Sequence, residues 1–258
     1  MRPMFWGTMS SPKNEPCPCG SGKKAEKCCR RAWLEDASTL SVELRRSLAW
    51  HQQDTIWGTE LREWVLTAFP QWEAEVQDTF ASQAFWPGTE AIFDFAMTYM
   101  FWHCQPDGSG KTVAEHYFAC HSHLIEERRD WHKAQQASWL GIWQAQKIDP
   151  GRGIQMVDIL THEQRYVYER QGSKTWTPDH ASLARVVDLG DKLSVLSGAY
   201  PRLLSAQEAE TARKNYLRFA FPRRRKVVPA QLRHDDAFVV LCYMWTGALA
   251  EYYPAYSN

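Results

Sequence analysis

The sequence predicts an α+β protein with a cysteine-rich N-terminal knuckle, a mainly helical middle domain, a small five-stranded β-barrel or sandwich-like module, and C-terminal helices. Three observations predict this class. Four of the 7 cysteines lie within residues 17–29, apolar residues recur at helical spacing from Trp33 to about Ala145, and short β-branched runs separated by turn residues follow. The expected segments are 1–9, 10–32, 33–142, 143–205 and 206–258.

The cysteines have the spacing C-x-C, eight residues, then C-C. Four thiolates complete a closed tetrahedral site, which structural zinc prefers, and leave no position for water or substrate. Nearby cations would lower the thiol pKa values and favour metal binding. The expected zinc ligands are Cys17, Cys19, Cys28 and Cys29, and the surrounding cations are Lys23, Lys24, Lys27, Arg30 and Arg31. Disulfides, free thiols and iron in the same cage are the alternatives, and geometry alone does not separate iron from zinc.

The stretch "NEPCPCGSGKKAEKCCR" resembles the SEC-C motif, a zinc-binding segment found at the C-terminus of the preprotein translocase motor ATPase and on many bacterial domains. The resemblance implies that the four cysteines bind zinc, with Cys-Cys where many members have Cys-His. In the translocase the module binds partner proteins, but elsewhere it is mostly uncharacterised, so the resemblance identifies a metal and leaves the activity open. Members often begin shortly before the motif, so Met9 is the alternative start to Met1, and residues 1–9 are interpreted as disordered or misannotated.

The middle of the chain is expected to be helical, with "TEAIFDFAMTYMFWHC" at its centre because it is apolar on nearly every side. The following "PDGSGKT" resembles a phosphate loop, but Gln105 stands where that loop needs glycine. We therefore expect a glycine-rich turn, with Thr112 and Glu115 forming a capping box for the next helix. A phosphate site is not expected here.

From Trp143 to Ser205, short strands are separated by "DPGRG", "THE", "QGS" and "LGD", which favours a barrel or sandwich of OB or SH3-like size. This part resembles uncharacterised bacterial proteins that carry an N-terminal SEC-C motif and a "PGRG...DLLTGE" pattern. Here the pattern reads "PGRGIQMVDILTHE", with His162 where glycine is usual. Ser205 and Glu208 are expected to cap a helix, and a last apolar helix is expected from about Asp236.

Two further clusters suggest binding sites. A second metal site is one hypothesis for the residues His103, Cys104, His116, Cys120, His121 and His123, although their spacing fits no known site. Nucleic-acid binding is the other hypothesis, using the β-module together with Lys23, Lys24, Lys27, Arg223, Arg224, Arg225 and Lys226. The 30 basic and 30 acidic residues cancel, so any such attraction must be local.

The leading functional hypothesis is a cytoplasmic zinc-binding protein whose knuckle docks a protein partner. The N-terminus lacks a signal-peptide pattern, and the longest charge-free apolar run, Ala237–Ala250, is shorter than the roughly 20 residues of a membrane span. A nucleic-acid or ribosome-associated factor is the alternative, and an enzyme with an accessory knuckle is the third. Catalytic motifs such as an ordered Ser-His-Asp set or a Rossmann fingerprint do not occur in the sequence.

Overall fold

The computed structural model describes residues 40–72, 74, 93–190, 193–222, 227–233 and 235–252. The expected segments 1–9 and 10–32 lie outside these residues, and so do the basic residues 223–226. The chain divides into two compact units, Met1–Arg46 and Ser47–Asn258. Within the described residues, the second unit combines helices with a closed five-stranded barrel, so the mixed α and β class is confirmed there.

Helices occupy the described chain ahead of the barrel, as the apolar spacing predicts. They are α1 (Val42–Ala68), α2 (Phe93–Trp102), α3 (Val113–Cys120), α4 (Leu124–Glu127) and α5 (Arg129–Ala137). The central position expected for α2 is confirmed, because Phe95, Tyr99 and Met100 are each at most 4% exposed. Burial of such large side chains supplies most of the driving force for packing this helix.

The glycine-rich turn before α3 has the predicted structure. Thr112 Oγ1 accepts a hydrogen bond from the Glu115 backbone N–H at 3.3 Å, and a Glu115 carboxylate oxygen accepts from the Thr112 N–H at 2.7 Å. These two bonds satisfy two of the N–H groups that a helix start leaves free. Gly108 and Gly110 have φ angles of 68° and 80°, a region that favours glycine.

The barrel contains β1 (Trp139–Asp149), β2 (Gly153–Asp158), β3 (Gln164–Val167), β4 (Ala181–Asp188) and β5 (Ser194–Ala199), with the short helix α6 (Gly172–Thr175) between β3 and β4. The strand order is β1-β2-β3-β5-β4, closed by pairing of β4 with β1. The β3–β5 pair is parallel and the other pairs are antiparallel. A small five-stranded barrel was one of the two architectures predicted for this module, and the other, a sandwich, is not formed by these strands.

The barrel interior is filled by side chains of alternate strand positions. Ile154 and Met156 of β2, Ala145 of β1 and Val167 of β3 are all fully buried, whereas Gln155 between the two β2 residues is partly exposed. This alternation is expected when one face of a strand points into the core. The register shift of β1 between Ala145 and Lys147 marks a bulge, so Lys147 pairs with Gln155 on the opposite face.

The C-terminal helices follow the predicted pattern. The elements are α7 (Ala206–Ala220), a 3₁₀ turn (Pro229–Leu232) and α8 (Asp235–Tyr252). The Ser205–Glu208 capping box is confirmed by reciprocal bonds of 3.4 and 2.7 Å. Phe238 and Trp245 of α8 are fully buried. In the part of the chain that the structure describes, we find no helix with the length and apolar character needed to span a membrane.

Candidate functional site

The expected zinc ligands Cys17, Cys19, Cys28 and Cys29 lie outside the described residues, as do Lys23, Lys24 and Lys27. The described residues therefore test the remaining hypotheses: the histidine and cysteine cluster, the barrel surface and the buried polar groups.

The histidines and cysteines of residues 103–123 occupy separate positions. His103 is 1% exposed, and its ring lies 4.8 Å from that of Phe238. Burial and the nearby charge of Arg185 hold the pKa of His103 well below its ordinary value, so the ring is neutral. His121 stacks on Tyr117 with ring centroids 4.4 Å apart. Both histidine rings therefore pack against aromatic side chains.

Cys120 and His123 are exposed, and Cys104 accepts a hydrogen bond from the indole N–H of Trp72 at 3.2 Å. Across the described ranges, His, Cys, Asp and Glu side chains do not form a group of three or more that could hold a metal ion. The structure therefore does not bring the proposed second metal site together.

His116 contacts a serine and an aspartate, a combination that suggests a catalytic triad. Its Nε2 atom lies 3.2 Å from both Ser109 Oγ and Asp107 Oδ1. A proton relay needs the serine on one ring nitrogen and the carboxylate on the other. Because both partners meet the same nitrogen, this group stabilises the turn before α3.

The outer face of the barrel presents a row of polar and aromatic side chains. Lys147 of β1 pairs with Gln155 of β2, which pairs with Tyr166 of β3, so the three lie side by side across the sheet. They point away from the interior because their strand neighbours Ile154 and Val167 are fully buried. We call these three residues, with Arg152 of the β1–β2 turn, the barrel face.

Tyr166 is held in one orientation on the barrel face. Its hydroxyl donates to Asp149 Oδ2 at 2.9 Å. A Cβ atom built on Gly153 would lie 2.8 Å from the Tyr166 ring and 2.4 Å from the Val167 carbonyl oxygen, so the ring packs directly over the glycine. Burial and the Asp149 carboxylate raise the pKa of Tyr166 to about 12, so the phenol is neutral. The Tyr168 ring stands edge-on at 5.0 Å.

Cations surround this tyrosine. The Lys147 side chain is 77% exposed, and its ammonium lies 3.7 Å from Asp149 Oδ1. Arg152 is exposed and directly precedes Gly153, the residue over which the Tyr166 ring packs. Lys174 of α6 extends over the same turn, since its Cε would lie 3.7 Å from a Cβ at Gly151. The barrel face therefore combines an oriented aromatic ring with positive charge.

A buried polar cluster connects the helices to the barrel. Arg185 of β4 is 1% exposed; it donates through Nη1 to Gln135 Oε1 at 2.6 Å and through Nη2 to the Gln135 carbonyl oxygen. Gln135 Nε2 and Trp131 Nε1 donate to Asp54 Oδ1 at 2.8 and 2.7 Å. Burial lowers the pKa of Arg185 to about 9, so it stays charged at neutral pH. We call these four residues the Arg185 cluster.

A fully buried carboxylate closes the β2–β3 turn. Asp158 is fully buried and accepts from Trp139 Nε1 at 2.9 Å, Thr161 Oγ1 at 2.7 Å and the Leu160 N–H at 3.1 Å. Burial raises the pKa of Asp158, and these hydrogen bonds partly oppose that shift. A Cβ at Gly141 would lie 2.8 Å from the carboxylate, so glycine is needed there. We call Asp158 and its three donors the Asp158 cluster.

His162 in the same turn has a φ angle of 64°, in the left-handed region that favours glycine. Its N–H donates to the Asp158 carbonyl oxygen at 2.7 Å. The "PGRG...DLLTGE" pattern that this part of the sequence resembles has glycine at the position of His162. The positive φ angle gives a physical reason for that preference.

A cleft of about 390 Å³ lies between α6 and β5, with Glu169, Trp176, Leu196 and Tyr200 among its lining residues. The Glu169 carboxylate already accepts from the Gln171 and Gly172 N–H groups at 2.9 and 3.1 Å. One of its carboxylate oxygens, Oε1, is thus engaged by the turn that starts α6.

Comparison with known families decides the nature of the N-terminal segment. Residues 14–31 match the family model of the SEC-C motif. The chain carries a SEC-C motif. The match includes all four clustered cysteines, and it confirms the resemblance that the sequence suggested. No curated protein and no solved structure matches the chain.

The sequence predicted the SEC-C motif but not the barrel face. Cysteine spacing and the glycine-lysine centre of the SEC-C motif are local signals. Tyr166 was missed, because its position over Gly153 depends on strand register. The "PGRG" pattern contained Gly153, and the alternating tyrosines of "RYVY" were a second signal that could have pointed to an aromatic surface.

Proposed function

We propose that this protein binds one zinc ion through Cys17, Cys19, Cys28 and Cys29, and that its SEC-C motif docks a protein partner. The observation that carries the proposal is the family match at residues 14–31, which spans all four thiols. Four cysteine side chains form the donor set of a closed tetrahedral site, so the residues present fit the metal.

Zinc in such a site supplies structure rather than catalysis, because four protein ligands leave no position for substrate. Small metal sites of this kind couple binding of the ion to folding of the segment that carries it. The chain's own residues would then form the docking surface, with Lys23, Lys24 and Lys27 offering positive charge beside the metal centre.

Metal analysis of the purified full-length chain tests zinc binding. We expect about one zinc per chain for the wild type and for Cys120→Ser, since Cys120 is an exposed cysteine outside the motif. We expect less than a tenth of that amount for the Cys28→Ser, Cys29→Ser variant. Equal zinc in all three proteins would overturn the proposed ligand set.

Docking is tested separately, by pull-down with the same three proteins in the presence of zinc. A partner captured by the wild type and by Cys120→Ser, absent with the double serine variant, and binding the purified wild type directly, supports the proposal. If the double variant binds the same partners equally well, the SEC-C motif is not the docking surface.

A further inference from the structure

We propose that the barrel face binds single-stranded nucleic acid, with a base stacked on Tyr166 and phosphates contacted by Lys147 and Arg152. The inference goes beyond docking by the SEC-C motif and does not rest on it, because all the residues involved belong to the described barrel.

The aromatic ring is prepared for stacking. Tyr166 is fixed at its hydroxyl by Asp149 and along one side by Gly153, so little conformational entropy is lost when a base packs on it. Stacking of a base on an aromatic side chain contributes about 1–3 kcal/mol and tolerates any base sequence. Gln155 is the cross-strand neighbour of Tyr166, and its amide has the donors and acceptors to bond a base edge.

The charges are arranged to suit a polyanion. Lys147, Arg152 and Lys174 are exposed cations, and Asp149 is the acidic side chain in contact with the row. The three cations outnumber the single Asp149 carboxylate, so the charge of this group of residues is positive although the whole chain is neutral. Local positive charge of this kind attracts phosphates and weakens with salt.

Other occupants fit less well. A peptide that extends the sheet needs a free strand edge, but β3 is flanked by β2 and β5 in the closed barrel. A neutral oligosaccharide could use the tyrosine but would gain nothing from the cations. Single strands expose both bases and phosphates, and these match the two chemical features of the barrel face.

Binding is tested with the full-length zinc-loaded protein and fluorescein-labelled mixed-sequence single strands of about 12 nucleotides, within the site size of a small barrel. RNA and DNA strands are separate arms, and anisotropy is measured at 50 and 200 mM salt. We expect a micromolar dissociation constant for at least one strand type, weakening at higher salt. Binding weaker than 100 µM for both, or equal binding of a neutral oligosaccharide, overturns the proposal.

Matched variants locate the site. We expect Tyr166→Ala to weaken binding about tenfold or more, and Tyr166→Phe to stay within threefold of the wild type. We expect the Lys147→Ala, Arg152→Ala variant to reduce the logarithmic salt slope by about 1.4. Phe219→Ala and Lys214→Ala are the controls, since Phe219 is 67% exposed and the Lys214 side chain is 65% exposed on α7. These controls should leave binding unchanged.

The charge variant decides the question even if Tyr166→Ala disturbs the fold, because both of its positions are exposed. Binding by this variant within twofold of the wild type contradicts the proposal. So does loss of binding in the Cys28→Ser, Cys29→Ser variant while the barrel-face variants still bind, since that result would assign nucleic acid to the SEC-C motif.

Discussion

Asp54 is a partly buried carboxylate and Asp158 a fully buried one, and the two regions around them are stabilised in different ways. Asp54 lies on α1 and is linked through Gln135 of α5 to the cation Arg185 of β4. Asp158 ends β2, and its partners are neutral donors from β1 and from its own turn. One carboxylate thus joins elements that are distant in sequence, and the other organises a local turn.

This difference predicts how much stability each region loses when one of its polar side chains is removed. Buried charge is costly unless it is paired, and removal of one partner leaves the other uncompensated. In the Arg185 cluster, loss of the cation would leave the Asp54 carboxylate without a compensating positive charge. In the Asp158 cluster the cost comes from donors left without an acceptor. Four changes test this contrast.

The largest effect is expected for Arg185→Met. It leaves two buried acceptors of Gln135 without their donors and takes a nearby positive charge away from the partly buried Asp54 carboxylate, which together should lower the free energy of unfolding by about 3–5 kcal/mol. Urea denaturation measures the change. The matched variant is Arg185→Met with Asp54→Asn, which removes both charges and should recover part of the loss. Strictly additive effects would show that the two groups are not coupled.

Asp158→Ala should cost about 3 kcal/mol, because three buried donors lose their acceptor at once. The same denaturation measurement applies. Glu210→Ala is a control on a carboxylate that is 40% exposed and pairs with Arg213 at 2.6 Å on the surface of α7, and it should cost about 1 kcal/mol or less. A smaller loss for Asp158→Ala than for Glu210→Ala would mean that the turn does not depend on its buried carboxylate.

The pH dependence sharpens the contrast between the carboxylates. Burial raises both pKa values above the ordinary 3.8, so the folded state binds more protons, and stability falls as the pH rises from about 4 through the folded pKa. For Asp54 the positive charge of Arg185 opposes the shift, whereas the causes for Asp158 include no cation. Because Asn does not titrate, Asn at either position should remove the contribution of that carboxyl group to the loss of stability with rising pH.

We therefore expect the destabilisation caused by Asp158→Asn to shrink between pH 4.5 and 7, at up to about 1.4 kcal/mol per pH unit. The change should be smaller for Asp54→Asn. Urea midpoints across this range measure both. A constant effect of Asp158→Asn at every pH would contradict a raised pKa at Asp158.

The smallest expected effect is a gain. His162→Gly should stabilise the Asp158 turn by about 0.5–1 kcal/mol, because glycine adopts a positive φ without a Cβ penalty but has a more flexible unfolded state. Asp179→Gly is the matched control, since Asp179 also has a positive φ of 69° and aspartate tolerates this region better. Thermal denaturation should show a smaller gain for Asp179→Gly, and a loss at His162→Gly would contradict the strain.

Sequence reasoning succeeded where the cause is local. The Thr112 and Ser205 capping boxes depend on side chains three residues apart, and both are present. The SEC-C motif is likewise a short pattern of ligands and glycines. The five strands were visible as short β-branched runs separated by turn residues, because both signals lie within each strand and its adjoining turns.

Contacts between distant residues were not predictable in this way. The partner of Arg185 is 50 residues away, and its selection depends on how α5 packs on β4. The fit of the Tyr166 ring over Gly153 depends on the register between β2 and β3, where a shift of one residue would turn the ring to the other face.

The sequence by itself therefore determined the identity of the SEC-C motif, the helix starts and the class of the fold, since each depends on side chains within a few residues of one another. Tertiary structure alone decided the parallel β3–β5 pair, the Arg185 cluster and the barrel face. The physical reason is that these features come from strand order and packing, which bring together residues whose spacing along the chain carries no periodic signal.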